Sequence, residues 1–112
     1  MAEPPELEVS CQAVKQQLDA DADLLLLDCR EPDEHATAAV SAARLLPMGE
    51  LPGRVEELRE WQDRPLVVMC HHGMRSAQVA MWLRGQGFTQ AQSMAGGIDR
   101  WSLEIDPETP RY

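Results

Sequence analysis

Cys70 is the side chain whose surroundings best suit it to covalent chemistry. It follows an apolar run, Leu66 to Met69, and precedes His71-His72-Gly73-Met74-Arg75-Ser76. A helix is expected next, with Ser76, Val79, Ala80 and Leu83 on one face. A loop that opens into a helix aims several backbone N–H groups into one concavity. Together with the helix's positive end, that concavity favours an anion, and a cysteine there is favoured as its thiolate. Gly73 permits the sharp turn that brings the N–H groups inward. Arg75 adds a fixed charge and a planar donor fork. Ser76 can cap the helix or donate to a ligand, and His71 and His72 add donors, or charge when protonated. Asp28 ends a second apolar run, Leu24 to Leu27, so it should share the sheet edge with Cys70 and hold the loop in shape by pairing with Arg75 or Arg30.

The elements that must position these groups alternate along the chain, as in an α/β domain with a mainly parallel sheet. Strands are expected near Leu7 to Val9, at Leu24 to Leu27, at Arg44 to Leu46, at Leu66 to Met69 and at Gln90 to Ser93. The two apolar runs suit strands buried on both faces. Ser10 reads as an N-cap, with Cys11, Val14 and Leu18 on one helical face. Glu31-Pro32 suits the first turn of a short helix through His35 and Thr37, with His35 itself solvated. Leu51, Val55 and Leu58 mark the buried face of another helix. Gly85 and Gly87 should stop the helix after Cys70, and Gly96-Gly97 precedes a last helical turn in which Ile98 and Trp101 share a face. Residues 1–6 read as a flexible start and 104–112 as an irregular tail of a single domain.

The 112 residues suit one domain with a real core. Ten basic and 19 acidic side chains leave a formal net charge of −9, which argues against nucleic acid and against membrane surfaces as partners. The start lacks the basic and apolar segments of a signal peptide, and the longest apolar run is far too short to span a bilayer. A cytoplasmic protein is therefore expected. The three cysteines, Cys11, Cys29 and Cys70, lack the spacing of a zinc site or a disulfide framework. Cys11 reads as core. Cys29 reads as a packed strand-end thiol, with a resolving partner for Cys70 as the sharper alternative.

The segment from Cys70 to Ser76 resembles the active loop of rhodanese-like sulfurtransferases, with four residues between cysteine and arginine. Leu27-Asp28-Cys29-Arg30-Glu31 resembles that family's Leu-Asp-Val-Arg-Glu strand end, and Gly96-Gly97-Ile98-Asp99-Arg100-Trp101 its Gly-Gly-x-x-x-Trp signature. The resemblance runs in order from Leu7 to Trp101. It implies a three-layer α/β domain with a central, mostly parallel, five-stranded sheet. It also implies a Cys70 that takes sulfane sulfur from thiosulfate or a persulfide and passes it to a thiol or cyanide, without metal or organic cofactor, with a sulfur-relay protein as one candidate partner. Arg75, Gly73 and Asp28 carry over as the loop arginine, the loop glycine and the strand-end acid. Two departures stand out: Ala38-Ala39-Val40-Ser41-Ala42-Ala43 replaces the family's frequent Gly-His-Ile-x-Gly-Ala, and the active loop has no lysine. The competing classes are a non-catalytic regulatory or protein-binding module, a Cys70–Cys29 thiol redox protein, and a phosphatase or arsenate reductase of related fold. The last needs one more residue between cysteine and arginine.

Overall fold

Alternation of apolar side chains along short strands sets the layers of the molecule. The computed structural model describes residues 4–112, so residues 1–3 of the expected flexible start lie outside the described residues. Within that start, the carbonyls of Pro5 and Glu6 accept hydrogen bonds from Arg84, and Glu6 also accepts one from Gln92. Five strands follow: β1 (Glu8–Val9), β2 (Leu25–Asp28), β3 (Arg44–Leu45), β4 (Leu66–Met69) and β5 (Ala91–Met94). The helices are α1 (Cys11–Asp19), α2 (Pro32–Thr37), α3 (Leu51–Arg54), α4 (Met74–Gly85) and α5 (Gly97–Glu104). The sheet order is β1-β5-β4-β2-β3, and every pairing is parallel. Among the described residues, no helix is long and apolar enough to cross a membrane.

Strands β2 and β4 are central and packed on both faces, so period-2 alternation divides their side chains between two cores. Leu27, Leu66, Val68 and Ala91 join Leu51, Leu58, Val79 and Leu83 on one side. Leu26, Val67, Met69 and Met94 join Cys11, Val14, Ile98 and Trp101 on the other. The β2–β4 register places Asp28 opposite Met69, which brings Asp28 and Cys70 to one edge.

Local chemistry explains most element boundaries. Ser10 caps α1 by accepting from the Ala13 N–H at 3.1 Å. Pro32 opens α2, and Glu31 and Glu34 form a capping box. The expected single helix through Leu51, Val55 and Leu58 is instead a four-residue α3 between 3₁₀ stretches at Met48–Glu50 and Val55–Trp61. Pro52 and Gly53 explain the difference, one lacking an N–H and the other costly to order. The three apolar side chains are buried all the same. Gly85 lies within the last turn of α4, and Gly87, at φ +100°, makes the left-handed turn beyond it.

The Ala38–Ala43 segment needs no glycine. None of its residues has a positive φ, Ala38 and Val40 fill the second core, and Ala43 N–H bonds to the Val40 carbonyl at 2.9 Å. Gly97 is different. Its φ is +60°, and a Cβ there would land on the carbonyl oxygens of Cys70 and His71. The close approach lets the Ile98 N–H donate to Cys70 O at 2.9 Å and the Asp99 N–H to His71 O at 3.1 Å. The start of α5 thus grips the segment after β4. Gly97→Ala should therefore destabilise by more than the roughly 1–3 kcal/mol of a left-handed non-glycine residue, as read from the urea midpoint. A midpoint equal to wild type would show that the contact is not needed.

Candidate active site

With the carbonyls of Cys70 and His71 held by α5, the backbone of the loop turns its N–H groups toward the Cys70 sulfur. Gly73, at φ +103°, caps α4 from the left-handed region. Its N–H donates to Sγ at 3.1 Å, and the Ser76 N–H donates to it at 3.3 Å. Ser76 belongs to the first turn of α4, whose N–H groups have no partner within the helix. The Ser76 hydroxyl lies 3.3 Å from Sγ, 3.2 Å from the Gly73 carbonyl it donates to, and 2.7 Å from the Ser93 hydroxyl on β5. A hydroxyl carries one proton and two acceptor sites. When the sulfur is ionised, Ser76 can turn its proton to the sulfur while Ser93 donates to Ser76. Cys70 is only 1% exposed, so a reactant reaches it through the loop. The Met74 side chain, 78% exposed, points away.

A second set of groups buttresses the loop. Asp28 and Arg30 are both fully buried. They pair through Arg30 Nε to Asp28 Oδ1 at 2.9 Å and Nη2 to Oδ2 at 2.7 Å. Burial works against the Asp28 charge. The bonds from Arg30 and His35, with the Arg30 backbone N–H, outweigh it and hold the carboxyl below its ordinary range. His35, expected to be solvated, has Nδ1 at 2.8 Å from Asp28 Oδ2, because the first turns of α2 pack over the β2 end. Of the two expected partners for Asp28, Arg30 is the one found.

Arg75 pairs instead with Glu34 of α2, Nη1 to Oε1 at 2.6 Å and Nη2 to Oε2 at 2.8 Å. The Arg75 bonds, opposed by burial and helped by the Tyr112 hydroxyl, hold the Glu34 carboxyl down at about 2. Tyr112 donates to Glu34 Oε2 at 2.7 Å and accepts from Arg30 Nη1 at 2.8 Å. Its ring stacks on His71, with centroids 3.9 Å apart and planes 7° from parallel. The sequence reading missed Glu34, Tyr112 and Ser93. Only Glu34 carried a signal, as the last residue of a Glu-x-x-Glu capping box.

Burial, with the nearby Cys70 and Asp28, pushes the Cys29 thiol up to about 12, and burial with Glu104 pushes Cys11 up to about 11. Both are poor nucleophiles. Burial and the His72 neighbour lower His71, which favours neutral imidazole. His71, His72 and Asp99 bring potential metal-binding atoms within 4.8 Å of one another. The two imidazoles are stacked at 3.9 Å and 27°, so their lone pairs do not converge on one point, and Asp99 already holds Arg111 at 2.9 Å.

The chain is similar to known proteins along most of its length. A family model described as Rhodanese-like domain matches residues 10–104. YtwF of Bacillus subtilis (strain 168) is 36% identical over 101 residues, which cover 90% of this chain and 95% of that protein. A protein named sulfurtransferase from Allochromatium vinosum is 35% identical over 95 residues, 85% of this chain and 87% of its own. A solved structure of a rhodanese-related protein from Thermoplasma volcanium superposes with a TM-score of 0.76 at 26% identity, covering 94% of this chain and 96% of that one.

The Glu34 pairing has a pH signature. A carboxyl depressed in the folded state contributes stability that is present above its unfolded value and lost as pH falls toward its folded value. Between about pH 4.5, where an unfolded Glu titrates, and about 2, wild type should lose stability more steeply than Glu34→Gln. Urea titrations at stepped pH check this, and parallel curves would contradict it.

Proposed function

The chain belongs to the rhodanese-like domain family, and from that premise we propose that it is a sulfurtransferase whose Cys70 carries sulfane sulfur as a persulfide. The observation that carries this reading is the convergence of the Gly73 and Ser76 N–H groups on Cys70 Sγ at the start of α4. Those donors suit a sulfur anion at either stage of a double displacement.

In the first step the Cys70 thiolate attacks the outer sulfur of a donor. With a persulfide, R–S–S⁻ and Cys70–S⁻ give Cys70–S–S⁻ and R–S⁻. With thiosulfate, the leaving group is sulfite. The new S–S bond forms as the donor's breaks, and both electrons of that bond depart with the leaving group. In the second step an acceptor thiolate attacks the outer sulfur and regenerates Cys70–S⁻; cyanide serves in an assay and leaves as thiocyanate. Because the loaded enzyme separates the two half-reactions, ping-pong kinetics are expected.

Each loop residue has a part in this reading. Gly73 and Ser76 hold the sulfur, and Ser93 backs the Ser76 hydroxyl. Arg75 lends positive charge at the rim, while Asp28 and Arg30 brace the β2 end. His71 and His72 line the mouth. The acceptor class includes a thiol on a sulfur-relay protein. Cys29 stays a packed thiol in this scheme, since burial keeps its proton in place.

Intact mass spectrometry after incubation with thiosulfate, or separately with glutathione persulfide, tests the assignment. Wild type should gain one sulfur, about 32 Da, removable by cyanide. Cys70→Ser should gain none, while Cys29→Ser should load normally. Equal loading of Cys70→Ser and wild type would remove Cys70 from the mechanism.

A further inference from the structure

The two ends of the Cys70 loop are joined by groups that touch neither Cys70 nor each other's backbone. At one end Tyr112 lies flat on His71. At the other, Glu34 holds both terminal nitrogens of Arg75. The Tyr112 hydroxyl closes the circuit by donating to Glu34. We propose that Glu34 and Tyr112 form a clasp across the loop that sets the donor class, selecting persulfides over donors that carry their sulfur on a sulfonate. This rests on the sulfurtransferase reading and adds a specificity to it.

The clasp is fully bonded. Glu34 Oε1 accepts from the Glu31 N–H at 3.2 Å as well as from Arg75, and Oε2 accepts from Arg75 and Tyr112. Four donors saturate the carboxylate. Arg30 directs the phenol by donating to its oxygen at 2.8 Å, which leaves the phenol proton for Glu34. The Arg111–Asp99 pair anchors the segment that carries Tyr112 to α5.

The consequence falls on Arg75. Between Cys70 and Ser76 it is the one side chain with a permanent positive charge, and Glu34 occupies the guanidinium edge formed by its two terminal nitrogens. A thiosulfate dianion that takes this edge displaces Glu34, and one that takes the Nε side sits against the same carboxylate, 18% exposed. Removing one partner of such a pair is costly, because the other stays behind charged. A persulfide makes no such demand. Its reacting group carries one charge, held largely on sulfur, with no oxyanion attached to the sulfur it transfers, and needs only the approach to Cys70 and the N–H donors already aimed there.

Glu34 and Tyr112 act as positioning residues, so donor preference is the readout. Initial rates of sulfur transfer to cyanide would be measured with thiosulfate and with glutathione persulfide, for wild type, Glu34→Gln and Tyr112→Phe. Tyr112→Phe keeps the stack on His71 and removes only the hydroxyl, so it remains informative if Glu34→Gln folds poorly. Wild type should prefer the persulfide in kcat/KM. Glu34→Gln should raise kcat/KM for thiosulfate by about tenfold, and Tyr112→Phe by about threefold, chiefly through KM. The persulfide value should move much less, so the ratio shrinks. An unchanged ratio, or a fall in thiosulfate activity in both variants, would overturn the clasp while leaving sulfur transfer by Cys70 intact. Failure of every donor to load any of the three proteins would overturn both readings.

Discussion

The grip of α5 on the Cys70 and His71 carbonyls is the constraint on which the site depends. A peptide plane has two sides, and fixing its carbonyl fixes where the neighbouring N–H groups face. Once Ile98 and Asp99 have taken those two oxygens, the chain has to turn at once, and only a residue tolerant of a left-handed backbone can turn it. Gly73 does so. The N–H groups of Gly73 and Ser76 then meet at the sulfur. Gly97 makes the grip possible because nothing larger than hydrogen fits between α5 and the loop. Trp101, buried at the second core, keeps α5 from backing away.

The buried Asp28–Arg30 pair is a different kind of support. Burying two charges is favourable only when nearly every donor and acceptor finds a partner. Here Arg30 bonds Asp28, the Ala38 carbonyl and Tyr112, and Asp28 takes His35 besides. The pair fixes the ends of β2 and α2 relative to one another. That in turn places Glu34 within reach of the α4 start, so a buried ion pair on one strand governs the charge at the rim of the loop on the next.

Much of this was legible in the sequence, for identifiable reasons. Buried parallel strands read as unbroken apolar runs, so β2 and β4 were plain, and Cys70 after β4 stood out together with Gly73 and Arg75. The Gly-Gly pair and Trp101 marked α5, although sequence alone could not tell that the second glycine touches the loop rather than merely turning the chain. What escaped depended on long-range contact. Tyr112 lies 78 positions from Glu34, and no periodicity links them. His35 looked solvated because its partner, Asp28, belongs to another element. The helix expected around Leu51 dissolved into 3₁₀ turns because local propensity, set by Pro52 and Gly53, overrode an apolar spacing that was itself correct.

The groups that surround the Cys70 sulfur are spread along the chain in a telling order. The cysteine follows β4, but the Ser76 hydroxyl beside it is backed by Ser93, and its carbonyl grip comes from Ile98 and Asp99. A chain emerging from the ribosome therefore exposes the thiol before the residues that orient it exist. The reactivity proposed for Cys70 is in this sense a property of the finished fold: a nascent or partly unfolded chain carries the thiol without the N–H groups that converge on it.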